Sequence, residues 1–393
     1  MTKAKQGLIP LKMLLFSFHA TNTIILSYLP LYLRYKGLNG VEIGWVLAIG
    51  PLASIFSQPF WGYMSDKYKT VKRMILICLI GLLFSSVLFF QMNGLTAILI
   101  MGAIFYFFTT PIGALGDSLA QRRADELRVP FGSIRMWGSI GFATSSLIIG
   151  EVLTQVGIQY MIWPYLLFGT MALLVVLKLE DVKVESEPVQ LKDIKQLVTN
   201  KPFIIFLILM MFLTIGHRAN DSFIGLYIAQ LGGKESLVGM GWFVGVMSEA
   251  AVFALAGFWF RKFRPVFFII IAGALYSVRW FIYGAINNPY HIIALQVLHG
   301  LTFGIFYTAS LDYVTRLIPK VLQSTGHLLF YSVFFGVSGI IGSLLGGTLL
   351  DSFGGTALYN ILGSLSAIGT ISFIIYYVIS YTKEDQLPLK GRS

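Results

Sequence analysis

Charge is scarce in this chain. Only 12% of its 393 residues are Asp, Glu, Lys or Arg, while 56% are hydrophobic. A soluble domain carries roughly 25% charged residues, so a water-facing surface is excluded and the repeated apolar runs are left to face lipid. Cysteine is almost absent. Cys78 stands alone inside an apolar run, which excludes a disulfide framework and a cysteine metal site. The five histidines are scattered, with no HExxH-like pair. No metal cluster, nucleotide loop or nucleophile–base constellation is present, so an enzyme is the least supported class, and neither a metal nor an organic cofactor is expected. Acidic residues number 18 against 29 basic ones, a net charge of +11. That excess invites a nucleic-acid reading, and the placement of the charges argues against it.

Apolar runs separated by short polar breaks predict an all-α membrane protein with twelve spans of roughly 20 residues each. They fall near 11–34, 41–64, 73–92, 95–119, 131–156, 159–179, 202–231, 236–259, 265–286, 289–315, 322–350 and 356–381. The first run is too long for a signal-peptide core and lacks an A-x-A site, so it reads as a retained span. Twelve spans put both termini on one side. Lys3, Lys5, Lys12, Lys67, Lys69, Lys72, Arg73, Arg122, Arg123, Arg128, Arg261, Lys262 and Arg264 fall on that side, as do the residues from Lys178 to Lys201. The opposite side has Arg34, Lys36 and Lys234. The positive-inside rule then places both termini in the cytoplasm of a cell-membrane protein. It accounts for the net charge through orientation and anionic lipid, with no nucleic-acid partner.

The longest polar stretch, LEDVKVESEPVQLKDIKQLVTNKP, lies at the midpoint. It divides the chain into a six-helix bundle at 1–179, a cytoplasmic linker at 180–201 and a second bundle at 202–393. The LKDIKQLV part has the pattern of a short amphipathic surface helix. The two bundles match at a shift of about 195 residues: Leu31–Tyr32 on Leu226–Tyr227, Gly44 on Gly239, Gly62 on Gly257, Gly141 on Gly336. Several matches at one shift indicate a pseudo-symmetric duplication, the architecture of secondary transporters, with the substrate site between halves.

QPFWGYMSDKYKTVKRM carries Gly62, Asp66, Lys67, Lys72 and Arg73. This resembles the G-x-x-x-D-[RK]-x-G-x-[RK]-[RK] loop between helices 2 and 3 of the major facilitator superfamily. Lys69 replaces that pattern's second glycine. The resemblance implies a gating latch formed by Gly62, Asp66, Lys72 and Arg73, with Asp66 pairing to a base at the next helix start. FGSIRMWGSIGFA, YSVRW and LQVLHGLTFG are further similar to the lactose-permease group, which includes sugar, nucleoside and phenylpropionate permeases. That likeness implies sugar binding by Asp117 on helix 4 and Arg135 on helix 5. It implies proton coupling by Glu249 on helix 8, Arg279 on helix 9 and His299 on helix 10. Two places depart from the pattern. Thr302 stands where the group has a proton-carrying glutamate, and Gln296 where it has a basic residue.

Physical reasoning alone singles out the same residues. Counted at 1.5 Å per residue, Arg279, His299 and Glu249 lie about 10, 14 and 20 Å below the outer ends of their helices. They are therefore able to meet, and an intramembrane arginine is tolerable if Glu249 neutralises it in a polar cavity. A static ion pair between helices 8 and 9 is the alternative. Asp117, Arg135 and the nearby Phe142 suit a hydroxylated ring; an aromatic carboxylate would also suit the arginine. His19, Asn22 and Thr23 share one face of helix 1, and His217, Asn220 and Asp221 share one face of helix 7. A polar stripe in an apolar helix must face protein or water, so both are expected to line the cavity, unless they serve interhelical bonding, with Arg218 taken by Asp221. Glu42, Glu151 and Asp351 read as solvated. These observations point to a monomeric proton-coupled symporter of a small polar solute, sugar or nucleoside first. The rival readings are an exporter of drug-like or lipidic compounds and a non-transporting sensor on the same fold.

Overall fold

The computed structural model describes residues 8–181, 196–259, 264–319 and 322–384. Most of the linker, Lys3, Lys5, Arg261, Lys262 and the last nine residues lie outside them. Among the described residues the regular structure is entirely helical. The first six helices are α1 (Leu8–Tyr35), α2 (Gly40–Lys67), α3 (Val71–Gln91), α4 (Leu95–Leu127), α5 (Gly132–Val156) and α6 (Ile162–Leu177). They are followed by α7 (Lys201–Gln230), α8 (Glu235–Trp259), α9 (Pro265–Ala285) and α10 (Pro289–Leu317).

The last stretch long and apolar enough to cross a membrane, Thr325–Ile379, is 55 residues. As one helix it would run about 80 Å, more than twice the hydrocarbon core. Gly354 divides it, at φ +79°, a conformation glycine adopts without a Cβ clash. This gives α11 (323–353) and α12 (355–384), hence twelve spans. Apolar side chains that stay exposed, such as Phe84, Leu167 and Ile371, belong to the lipid-facing surface of such a bundle.

Local rules set the ends of the elements. Asn39 and Glu42 form a reciprocal capping box at the start of α2, each bond 2.9 Å. At the other end of α2, Lys69 sits at φ +51°, and Thr70 N–H donates back to the Ser65 carbonyl at 3.1 Å. The turn thus keeps the left-handed geometry for which glycine is preferred, although a lysine occupies it.

The duplication seen in the sequence has bonded counterparts. Tyr32 of α1 donates to the carbonyl of Phe90 at the end of α3, 2.7 Å. Its match Tyr227 of α7 donates to the carbonyl of Tyr283 at the end of α9, 2.8 Å. Gly44 and Gly239 also act alike. A Cβ on Gly44 would lie 2.6 Å from the Ser343 carbonyl oxygen, and one on Gly239 would lie 2.0 Å from that of Ser146. Each lets a helix of one half approach a helix of the other, α2 on α11 and α8 on α5.

These approaches share one end of the molecule. Gly40 meets Gly347, Gly150 meets Glu235 and Ser236, and Gly225 meets Ser27. All lie near the helix ends opposite the face at which Leu8 begins α1. Arg34 and Asp351 form an ion pair at 3.8 Å at the same end, so Asp351 is engaged rather than simply solvated. The first and last six helices are sealed together on this distal side, which places the cavity between them.

Candidate functional site

A cavity of about 380 Å³ lies between the two sets of helices. His19 and Asn22 of α1, Ser54 and Gln58 of α2, and Tyr106, Thr110 and Asp117 of α4 line one side. Arg135 of α5 joins them, and Arg218 and Ser222 of α7 and Phe335 of α11 face from the other half. Asp117 and Arg135 are brought together as an ion pair, Nε to Oδ1 2.9 Å, each still about a third exposed. Gly138, one turn after Arg135, makes their environment possible. A Cβ there would lie 2.6 Å from the Arg135 guanidinium and 2.9 Å from His19 Nδ1. His19 is held through its Nδ1 contact to the Leu15 carbonyl, 2.9 Å, leaving the rest of its ring toward the cavity.

Two of the expected cavity residues serve packing. The Thr23 hydroxyl is buried and contacts the carbonyls of His19 and Phe142 at 2.9 and 3.2 Å, which ties α1 to α5. Phe142 stands edge-on to Trp242, ring centroids 5.8 Å apart, and bridges α5 to α8.

Helix α7 requires a larger correction. His217, Asn220 and Asp221 are all buried, 2–5% exposed, and do not line the cavity. Asn220 accepts from the Tyr359 hydroxyl of α12 at 3.1 Å. Asp221 accepts from Arg218 at 2.8 Å and lies 3.4 Å from His217 Nε2. The cavity-lining pair on α7 is Arg218 and Ser222. One residue turns a helix by about 100°, so that pair occupies the neighbouring stripe. Gln58, Tyr106, Thr110 and Ser222 were not singled out from the sequence. The signal for Gln58 was there, a polar side chain inside an apolar span; the others are common in buried helices.

Arg279 is fully buried, and its partners are not those expected. Glu249 does not neutralise it, and among the described residues it makes no ion pair. Its Nη1 donates to Thr302 Oγ1 at 3.0 Å, its Nη2 donates to the Gln296 amide oxygen, and Nε and Nη2 both reach the Tyr283 hydroxyl, 3.2 and 3.0 Å. The guanidinium carbon lies 4.8 Å from the Trp280 ring centroid and 5.2 Å from that of Tyr283. Neutral oxygens and aromatic faces thus solvate the charge. Irregular backbone in α10 aims two of them. A turn at Gln296 ends the regular helical segment Pro289–Leu295, and a π-helical segment, Gly300–Gly304, carries Thr302. Gly300 is required there, because a Cβ would lie 2.3 Å from the Ser248 carbonyl of α8.

Glu249 instead lies 3.6 Å from His299 Nε2, with its side chain about a quarter exposed. His299 is buried. Of the three residues expected to couple protons, the structure joins two directly and holds Arg279 by other means.

In the loop between α2 and α3, Lys72 Nζ donates to the carbonyls of Leu177 and Leu179 at 3.1 and 2.6 Å. It therefore closes the end of α6. Asp181 accepts the backbone N–H groups of Val71 and Lys72 and the Thr70 hydroxyl, a carboxylate placed where a helix N-terminus favours negative charge. Gly62 faces open space. Arg73 donates its N–H to the Thr70 hydroxyl, 3.2 Å.

Comparison with known proteins gives a consistent picture. The profile of the MFS_1 like family matches residues 8–361. An uncharacterized transporter, YwbF, of Bacillus subtilis is 28% identical over 90% of this chain and 89% of its own. The maltose permease of Geobacillus stearothermophilus is 25% identical over 92% of each chain. The crystal structure of the nucleoside transporter NupG superposes with a TM-score of 0.86, at 16% identity over 94% of this chain and 99% of its own. At that identity the likeness speaks to fold.

Proposed function

The chain belongs to the MFS_1 like family, and we propose that it carries a small polar solute, a sugar or nucleoside, across the cytoplasmic membrane together with a proton. It is a multi-pass membrane transporter and not an enzyme. Its relatives include a maltose permease and its fold is shared with a nucleoside transporter, which supports that substrate class. The observation that carries the reading is the cavity. Its 380 Å³ suits a small ligand. The Asp117–Arg135 pair offers acceptors and planar donors together, the combination that adjacent hydroxyls satisfy. His19, Asn22 and Gln58 add neutral polar groups.

On this reading the bundles at 1–179 and 202–393 rock about the cavity, with 180–201 as linker and both termini in the cytoplasm. The protein works as a monomer in the lipid bilayer. The distal glycine contacts are the seal of one state, and the loop carrying Gly62, Asp66, Lys72 and Arg73 is remade as the opposite side closes. Glu249 and His299 form the proton site, and Arg279 is a fixed cation beside it.

The test is a thermal-shift panel on purified protein with maltose, other sugars, uridine, aromatic acids and hydrophobic drug-like compounds at two pH values. A ligand present at 100 times its Kd adds about 2.7 kcal/mol to native stability. A sugar or nucleoside is expected to raise the melting temperature in wild type and not in Asp117→Asn or Arg135→Lys. Stabilisation by hydrophobic compounds alone would overturn the reading in favour of export.

A further inference from the structure

Arg218 connects the cavity to buried acid–base groups that substrate binding does not otherwise use. Its side chain is on the cavity wall, with the guanidinium carbon 5.6 Å from the Phe335 ring centroid. Its Nη1 lies 2.8 Å from Asp221 Oδ2. Behind that contact, Arg218 Nε, Asp221 Oδ1 and His217 Nδ1 are shielded from solvent and lack a hydrogen-bond partner. Asp221 is 5% exposed and His217 3%. Buried polar atoms are ordinarily paired, and Arg218, Asp221 and His217 each keep one unused donor or acceptor within this cluster.

The cluster leads onward. Asp221 Oδ2 is 3.4 Å from His217 Nε2. The His217 ring stacks on Phe303 at 4.8 Å and lies 5.6 Å from the His299 ring. His299 Nε2 is 3.6 Å from Glu249 Oε2. Two carboxylates and two imidazoles from α7, α10 and α8 therefore form a series from the cavity wall to partly exposed Glu249. The other titratable groups facing it are Arg279 and Tyr276 of α9, Tyr307 of α10 and Tyr359 of α12. From α11 the series meets Phe334, which does not titrate.

Resting on the proton-coupled reading above, we propose that the Arg218–Asp221 pair is the joint between substrate and proton. An oxygen-rich solute in the cavity draws the Arg218 guanidinium away from Asp221. A buried carboxylate that loses its cation is neutralised by a proton. The proton comes along the series. An N–H bond of His217 breaks as an O–H bond forms at Asp221, and His217 is reprotonated from His299, which is supplied by Glu249 and water. No electron moves, and one proton enters for each solute bound. Release of the solute returns Arg218 to Asp221 and expels the proton.

Infrared difference spectroscopy of the purified protein, without any solute, tests this independently of the substrate panel. Between alkaline and mildly acidic pH, wild type is expected to gain a protonated-carboxyl band that is lost in Asp221→Asn and retained in Glu249→Gln. In Arg218→Gln the band should already be present at about tenfold lower proton concentration or less. A band that survives Asp221→Asn, or one whose pH dependence ignores Arg218→Gln, overturns the proposal. So does the absence of the band in Arg218→Gln, where Asp221 has lost its cation. If Asp221→Asn does not fold, Asp221→Glu must shift the band, and an unshifted band counts against Asp221.

Discussion

Replacing Gly239 by alanine is expected to pry apart the distal ends of α5 and α8. The added Cβ would lie 2.0 Å from the carbonyl oxygen of Ser146 and 2.6 Å from the Tyr28 hydroxyl. Tyr28 is itself fixed, donating to that carbonyl at 2.7 Å. Backbone cannot rotate away as a flexible side chain does, so the two helices must separate by roughly an ångström to reach ordinary contact. Overpacking of this kind costs about 1–3 kcal/mol. If distal opening relieves the strain, the balance between closed and open states moves by roughly 5- to 150-fold. Spin labels on Gln159→Cys and Lys234→Cys, both exposed and on opposite sides of this contact, read the separation. Cys78, the only cysteine, is fully buried and stays unlabelled. The expected result is a longer and more populated second distance in the Gly239→Ala background. Gly132→Ala is the control, since nothing lies within 4 Å of a Cβ at that site. An unchanged distance distribution in folded Gly239→Ala protein would refute the glycine seal.

Other substitutions test separate parts of the structure. Lys69→Gly should stabilise the fold by about 0.5–1 kcal/mol in thermal melts, because a lysine at φ +51° carries a left-handed penalty that exceeds glycine's entropy cost. Gln296→Leu and Thr302→Val should each destabilise by about 1.5–3 kcal/mol, the value of a hydrogen bond to a charged group. Arg279→Met, which removes the charge along with its needs, should cost less than the Gln296→Leu/Thr302→Val double variant; the reverse order would mean that the cation is paired after all. Glu249→Gln should abolish uphill accumulation of the solute identified by the panel while leaving exchange in proteoliposomes, and wild-type accumulation would remove Glu249 from the coupling step.

The spans and the repeat were legible because each follows from a one-dimensional property: hydropathy, and spacing at a fixed shift. Partner choice was not, because it depends on helix rotation. His217 and Asp221 differ from Arg218 and Ser222 by one residue, about 100° around α7. In an apolar helix with polar groups on two adjacent stripes, nothing in the spacing says which stripe meets water. The neighbours decide: α12 supplies Tyr359 to Asn220, and α10 supplies His299 and Phe303 to His217.

Gln296 and Thr302 show the same limit in the other direction. Read along the chain they are departures, a missing base and a missing acid. In three dimensions they answer each other, since the hydroxyl and the amide oxygen converge on one guanidinium that pairs with no carboxylate among the described residues. Had either position kept its charge, Arg279 would face a different sum. A glutamate at 302 would neutralise it and give the proton a second place to sit, while a base at 296 would require that glutamate. Losing both together preserves the balance at one buried cation. It also leaves Glu249 and Asp221 as the carboxylates nearest the imidazoles of this cluster, 3.6 Å from His299 and 3.4 Å from His217, with Arg218 as the cation at the cavity wall.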